Sequence, residues 1–149
     1  MQVKDVMTPD PTCCTADTSL QEVAKMMVDH DCGEIPIVES KGTKQPIGVI
    51  TDRDIVVRSV AKGNNPLDLT AGDCMTKPCV TVTPEMSIEE CGNILETNKI
   101  RRVPVVDQSG DICGIIAVAD IALRAGGNVT TEVVKEVSEP GASASAAGR

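Results

Sequence analysis

Thr51 and Asp54 stand three residues apart, just after the apolar run Gly48-Val49-Ile50, and that spacing has two chemical uses. A threonine hydroxyl hydrogen-bonds a phosphate, and a carboxylate on the first turn of the same helix accepts both hydroxyls of a ribose. The free N–H groups of such a helix start add an anion site. The same pair serves equally as an N-cap with an acidic first-turn residue, which stabilises a helix without any ligand. A second group with chemical potential is Arg101-Arg102. Two guanidinium groups suit bidentate phosphate recognition, or else form a solvated pair on an acidic surface. No Ser-His, Cys-His or paired-carboxylate constellation occurs at recognisable spacing, so catalysis is not expected. His30, the single histidine, reads as a helix C-terminal charge partner.

The composition narrows what these groups can bind. The 149 residues contain no Phe, Tyr or Trp, so no base can be stacked on an aromatic platform. Fourteen Lys and Arg against 22 Asp and Glu give a net charge of -8, the wrong sign for a nucleic-acid binder. No apolar run reaches the roughly 18 residues of a membrane span, and the N-terminal residues lack the features of a signal peptide, so a cytoplasmic protein without membrane or nucleic-acid partners is expected. The seven cysteines are odd in number and form no C-x-x-C pair. They read as buried thiols acting as small hydrophobes. A thiol- or metal-responsive role for the adjacent Cys13 and Cys14 is the alternative.

The elements that must position these residues come from an internal repeat. Sliding the chain by 68 residues places Met7-Thr8 on Met75-Thr76, Ser19 on Ser87, Glu22 on Glu90 and Pro36 on Pro104; after a loop two residues shorter the offset is 66, and Gly48, Ile50 and Asp54 fall on Gly114, Ile116 and Asp120. Ser19 to Glu22 and Ser87 to Glu90 have the S-x-x-E form that opens a helix. Leu20, Val23, Ala24 and Met27, like Ile88, Cys91, Gly92 and Leu95, recur at helical spacing and predict core stripes. Two β-rich runs separated by turn residues follow in each copy, then a second helix, from Thr51 to about residue 61 and from Ala117 to about residue 125. The predicted fold is therefore α/β, two β-α-β-β-α repeats packed about a pseudo-twofold axis. Residues 1–62 form the first repeat, 63–73 a linker, 74–127 the second repeat, and 128–149 a short helix and a tail.

The Val6-Met7-Thr8 opening, the helix start from Thr15 to Ala24, the Ile-Pro-Ile-Val and Val-Pro-Val-Val strands and Gly-Val-Ile-Thr-Asp-Arg-Asp-Ile at 48–55 together resemble the tandem cystathionine-β-synthase (CBS) domain pair, or Bateman module, over about residues 3 to 125. The resemblance implies a regulatory module without catalysis that binds AMP, ADP, ATP or S-adenosylmethionine in clefts between its repeats. No cofactor is required, the module commonly pairs into a homodimer, and an unidentified regulated protein reads the signal.

The resemblance also carries Thr51 and Asp54 over as phosphate and ribose contacts. It brings Arg101 and Arg102 into their cleft and Gly33 and Glu34 into the other. Val80, Ile100 and Ile50 are the candidates for an apolar adenine slot. In the second copy Ala117 replaces Thr51, so the cleft headed by Asp120, with Thr12 and Cys32, is expected to be the weaker site.

Overall fold

The structure is a computed structural model that describes residues 1–124. In chain order its elements are β1 (Thr8–Pro9), β2 (Cys14–Thr15), α1 (Leu20–Asp29), β3 (Glu34–Val38), β4 (Pro46–Thr51), α2 (Asp52–Arg58), α3 (Ala71–Cys74), α4 (Ile88–Asn98), β5 (Arg102–Val106), β6 (Ile112–Ala117) and α5 (Val118–Arg124). Three 3-10 turns, Val3–Asp5, Val60–Lys62 and Pro66–Asp68, complete it. The helix expected within 128–149 and the tail lie outside the described residues.

The long helices begin alike. The Ser19 hydroxyl accepts from the Glu22 N–H at 3.2 Å, and the Ser87 hydroxyl from the Glu90 N–H at 3.1 Å, satisfying donors that a helix start leaves free. They also end alike, with Asp31 and Lys99 in the left-handed region at φ 48° and 54°. Leu20, Val23 and Met27 are buried as predicted, whereas Ala24 is exposed; Ile88, Cys91, Gly92 and Leu95 are all buried. The stripe on α1 is thus narrower than its spacing predicts.

Each half builds a three-stranded sheet, in the orders β2-β3-β4 and β1-β6-β5. The hairpins β3-β4 and β5-β6 are antiparallel in matching registers, Glu34 opposite Thr51 and Arg102 opposite Ala117. In the first half β2 adds to β3 in parallel, while its counterpart in the second half is a single parallel bridge, Val82 to Val105.

The halves are interlocked through their opening segments. β1 belongs to the first repeat in sequence yet pairs with β6 of the second, Thr8 opposite Ile115. Reciprocally, Thr76 exchanges backbone hydrogen bonds of 3.0 and 2.8 Å with Val49 on β4. The cores follow the same exchange. Val3 and Val6 pack with Ile88, Leu95, Val103 and Ile116, whereas Ala71 and Cys74 pack with Leu20, Val23, Ile35 and Ile50. The end of the expected 63–73 linker is corrected accordingly: Ala71 is 0% exposed and forms part of the first half's core, because the opening segment of the second repeat crosses over.

Gly48 and Gly114 make the crossing feasible. A Cβ on Gly48 would lie 2.7 Å from the Thr76 carbonyl oxygen, and one on Gly114 would lie 2.5 Å from the Met7 sulfur and 3.1 Å from the Thr8 carbonyl oxygen. Glycine inside a strand here marks the place where a second backbone comes close.

Candidate ligand site at the seam

Glu34 and Arg102 occupy equivalent positions, the first residues of β3 and β5. The Asp52 N–H donates to the Gly33 carbonyl at 3.0 Å and the Val118 N–H to the Arg101 carbonyl at 2.9 Å, so each strand start is tied to the second helix of its own half. Both residues line one cleft of about 170 Å³ between the halves. Val49, Val80, Ile100 and Pro104 supply its apolar wall, and Thr76, Asn98, Glu34 and Arg102 its polar groups.

Behind Thr76 lies Asp54, only 3% exposed. Its carboxylate accepts from the Thr51 N–H at 3.1 Å and from the Thr76 hydroxyl at 3.3 Å, and it approaches the Arg58 Nε at 3.9 Å. The Thr51 hydroxyl in turn accepts from the Asp54 N–H at 3.0 Å. This is a reciprocal capping box at the start of α2, the ligand-free use of the Thr-x-x-Asp spacing. Arg58 also donates to the carbonyls of Cys74 and Met75, which holds the opening segment of the second repeat against α2. In the second half the Asp120 carboxylate accepts from the Ala117 N–H at 2.9 Å, and the hydroxyl is missing.

Of the residues the sequence proposes, Val80, Ile100 and Arg102 come together in the cleft. Thr51 and Ile50 do not reach it. Both are 0% exposed, Thr51 because its hydroxyl caps α2 and Ile50 because it faces the first half's core. Arg101, one residue before β5, is exposed and does not line the cleft. Thr12 and Cys32 are half-buried; Cys32 packs against the first half's core and feels the charge of Arg102. The expected placement of Glu34 is corrected too. It lines the cleft in front of Asp54, because the two strand starts face the same seam.

The residue missed by sequence reasoning is Thr76. Its signal was available, since Met-Thr recurs at 7–8 and 75–76, but only the exchange of opening segments brings Thr76 to Asp54.

Burial dominates the titration of this region. It pushes the Glu34 carboxyl up to about 8, an effect that Arg102 opposes and Asp54 reinforces. Glu34 Oε2 and Arg102 Nη1 are buried and have no hydrogen-bond partner among the described residues. The thiols are likewise raised by burial, Cys14 and Cys79 each to about 12 and Cys13 in the same direction. In the absence of a metal, thiols raised in this way are poor nucleophiles, which weakens the redox form of the Cys13/Cys14 alternative. Among the described residues no three His, Cys, Asp or Glu side chains gather in a way that holds a metal ion, and no helix is long and apolar enough to cross a membrane.

The CBS domain family matches this chain twice, over residues 3–60 and 71–126. Hypoxic response protein 1 of Mycobacterium tuberculosis is 34% identical over 142 residues, covering 95% of this chain and 97% of its own length. A crystal structure of hypoxic response protein I with two coordinated zinc ions covers 83% of this chain and 98% of its own, at 34% identity and a TM-score of 0.75. The CBS domain pair of protein MJ0100, in complex with 5'-methylthioadenosine and S-adenosylmethionine, covers 85% of this chain and 97% of its own, at 26% identity and a TM-score of 0.74. Protein MK0525 of Methanopyrus kandleri is 38% identical over 118 residues, 79% of this chain, and the chain spans 57% of that protein's length. With both halves matched by the family model and the overall fold shared with a 34% identical relative, the chain belongs to the CBS domain family as a tandem domain pair.

Proposed function

We propose that this chain is a regulatory module that senses an adenosine-containing ligand, AMP, ADP, ATP or S-adenosylmethionine, in the cleft between its halves. The observation that carries this reading is Arg102, whose Nη1 is buried at the seam without a partner beside the apolar wall of Val80 and Ile100. A guanidinium left in that state is stabilised by an anionic group that enters the cleft. Support comes from the MJ0100 pair, which holds two adenosine derivatives. Val80 and Ile100 flank the adenine; with no aromatic ring in the chain, affinity rests on the polar groups.

The cleft, about 170 Å³, is smaller than the roughly 300 Å³ at which small-molecule sites usually begin. Binding therefore widens it, and Thr76 is the part that moves. Once its hydroxyl leaves Asp54, the carboxylate is free to accept from a ribose, while Thr51 keeps it in place through the capping box. Displacing Thr76 strains the Val49 and Arg58 contacts, so occupancy is transmitted to the junction of the halves. A homodimer read by a regulated protein, in the cytoplasm, is the output. A second, weaker site is headed by Asp120, where Thr12 and Cys32 stand at the positions of Val80 and Ile100 and give a less apolar wall.

The test is a thermal-shift and calorimetric screen of AMP, ADP, ATP and S-adenosylmethionine. A ligand at 100 times its Kd adds about 2.7 kcal/mol of stability. Arg102→Ala is expected to abolish most of that gain; a chain that no adenosine ligand stabilises overturns the reading.

A further inference from the structure

The cleft holds one uncommitted group of each sign. Glu34 is 9% exposed, lines the cleft and leaves Oε2 without a partner. Arg102 lines the same cleft and leaves Nη1 without one, so the two face a common space but do not close on each other as an ion pair. Asp54 behind the cleft is engaged by Thr51, Thr76 and Arg58, and Arg58 by Asp54 and two backbone carbonyls. A buried polar atom without a partner costs free energy that an arriving group of the right kind recovers.

We infer that the seam cleft selects an adenosine that carries an amino-acid group, its carboxylate on Arg102 and its ammonium on Glu34, over adenosine phosphates. A phosphate would satisfy Arg102 alone, leaving Glu34 without a countercharge and standing near the Asp54 carboxylate behind Thr76, whereas a zwitterion satisfies both free groups at once. Burial favours the neutral acid at Glu34, and an ammonium beside it supplies the countercharge that lets the carboxylate ionise. This inference rests on the adenosine-sensing reading above and adds to it the chemical class of the ligand.

Calorimetry on the full chain separates the two. Three probes are used: S-adenosylhomocysteine, which has the ammonium and carboxylate; 5'-methylthioadenosine, which has neither; and AMP. The expected result is that S-adenosylhomocysteine binds at least about tenfold more tightly than either of the others. In Glu34→Gln, nearly the same shape without the charge, that advantage over 5'-methylthioadenosine collapses to less than about threefold, while 5'-methylthioadenosine itself binds as before and so reports an intact fold. Equal binding of S-adenosylhomocysteine and 5'-methylthioadenosine to the unmodified chain, tighter binding of AMP, or an equal loss of both nucleosides in Glu34→Gln overturns the inference and leaves adenosine sensing standing. Absence of binding by all three probes, with ATP and ADP also silent, overturns adenosine sensing and this inference with it.

Discussion

Asp54 and Asp120 sit at the same position of the two halves, yet one is wired into its surroundings and the other is a simple cap. Asp54 bonds to Thr51, to Thr76 from the other repeat's opening segment, and approaches Arg58, whereas the Asp120 carboxylate accepts from the backbone of Ala117. Glu34 and Arg102 differ further still, being opposite charges at equivalent strand starts. The apolar skeleton, by contrast, is nearly the same in both halves, down to Ile50 and Ile116 at 0% exposure. The repeat has kept the scaffold that buries a core and let the seam diverge. Packing is shared by both copies, whereas the charged residues at the seam differ between them.

If the skeletons are equivalent, equal truncations must cost the same. Ile50→Ala and Ile116→Ala are each expected to lose about 3 to 4 kcal/mol in urea denaturation, within about 1 kcal/mol of each other. Because Val3 and Val6 complete the second core and Ala71 and Cys74 the first, both variants should also unfold in one transition. Two separable transitions, or one variant far weaker than the other, would break the equivalence.

The crossing of the opening segments is less symmetric. Alanine at Gly48 meets a backbone carbonyl that cannot retreat without opening the Val49–Thr76 bridge, whereas its nearest clash at Gly114 is the end of the flexible Met7 side chain. Gly48→Ala should therefore destabilise by about 2 to 3 kcal/mol and Gly114→Ala by about 1 kcal/mol, measured by the same denaturation. The reverse order would place the tighter joint at β1 and β6.

Much of the skeleton was legible because it repeats. Serine and glutamate three apart, the apolar stripes and the paired β runs occur twice at fixed offsets, and a pattern that recurs seldom arises by chance. The crossing was not legible, since an offset relates residues along the chain and says nothing about which copy a segment pairs with in space. That gap accounts for the differences at the seam. Sequence offsets put Ala71 in a linker, place Glu34 away from the cleft it lines, and do not show Thr76 as a partner of Asp54. Ile50 and Thr51 lie away from the cleft, and sequence does not reveal it for another reason: apolar wall and apolar core have the same composition, and a ligand hydroxyl looks the same in sequence as a helix cap. Only burial separates them.

The contrast between the two aspartates has its own measure. Asp54→Ala removes the acceptor for the Thr51 N–H and for the Thr76 hydroxyl and leaves both donors inside the protein; about 2 kcal/mol is expected. Asp120→Ala frees the Ala117 N–H alone, at a half-buried position, for about 1 kcal/mol. Comparable losses in thermal denaturation would mean that the wiring around Asp54 contributes nothing beyond the cap.

The finest test concerns Glu34 against Arg102. The buried carboxyl keeps its proton up to about pH 8, while the unfolded chain releases it near the ordinary value of 4.5. Across that window the folded state holds more protons than the unfolded one, so this residue's contribution is fully present below about pH 4.5 and is lost as the pH rises through about 8. Arg102 eases the loss and Asp54 deepens it, the two charges that act on Glu34. Glu34→Gln should flatten the dependence by up to about 1.4 kcal/mol per pH unit between pH 5.5 and 7.5. Arg102→Gln should extend the loss to higher pH by removing the positive charge that holds the Glu34 carboxyl down, with urea midpoints at several pH values as the readout. Parallel pH profiles for all three proteins would show that the opposite charges at the seam do not sense each other, and the difference between the halves would then reduce to Asp54 and its partners.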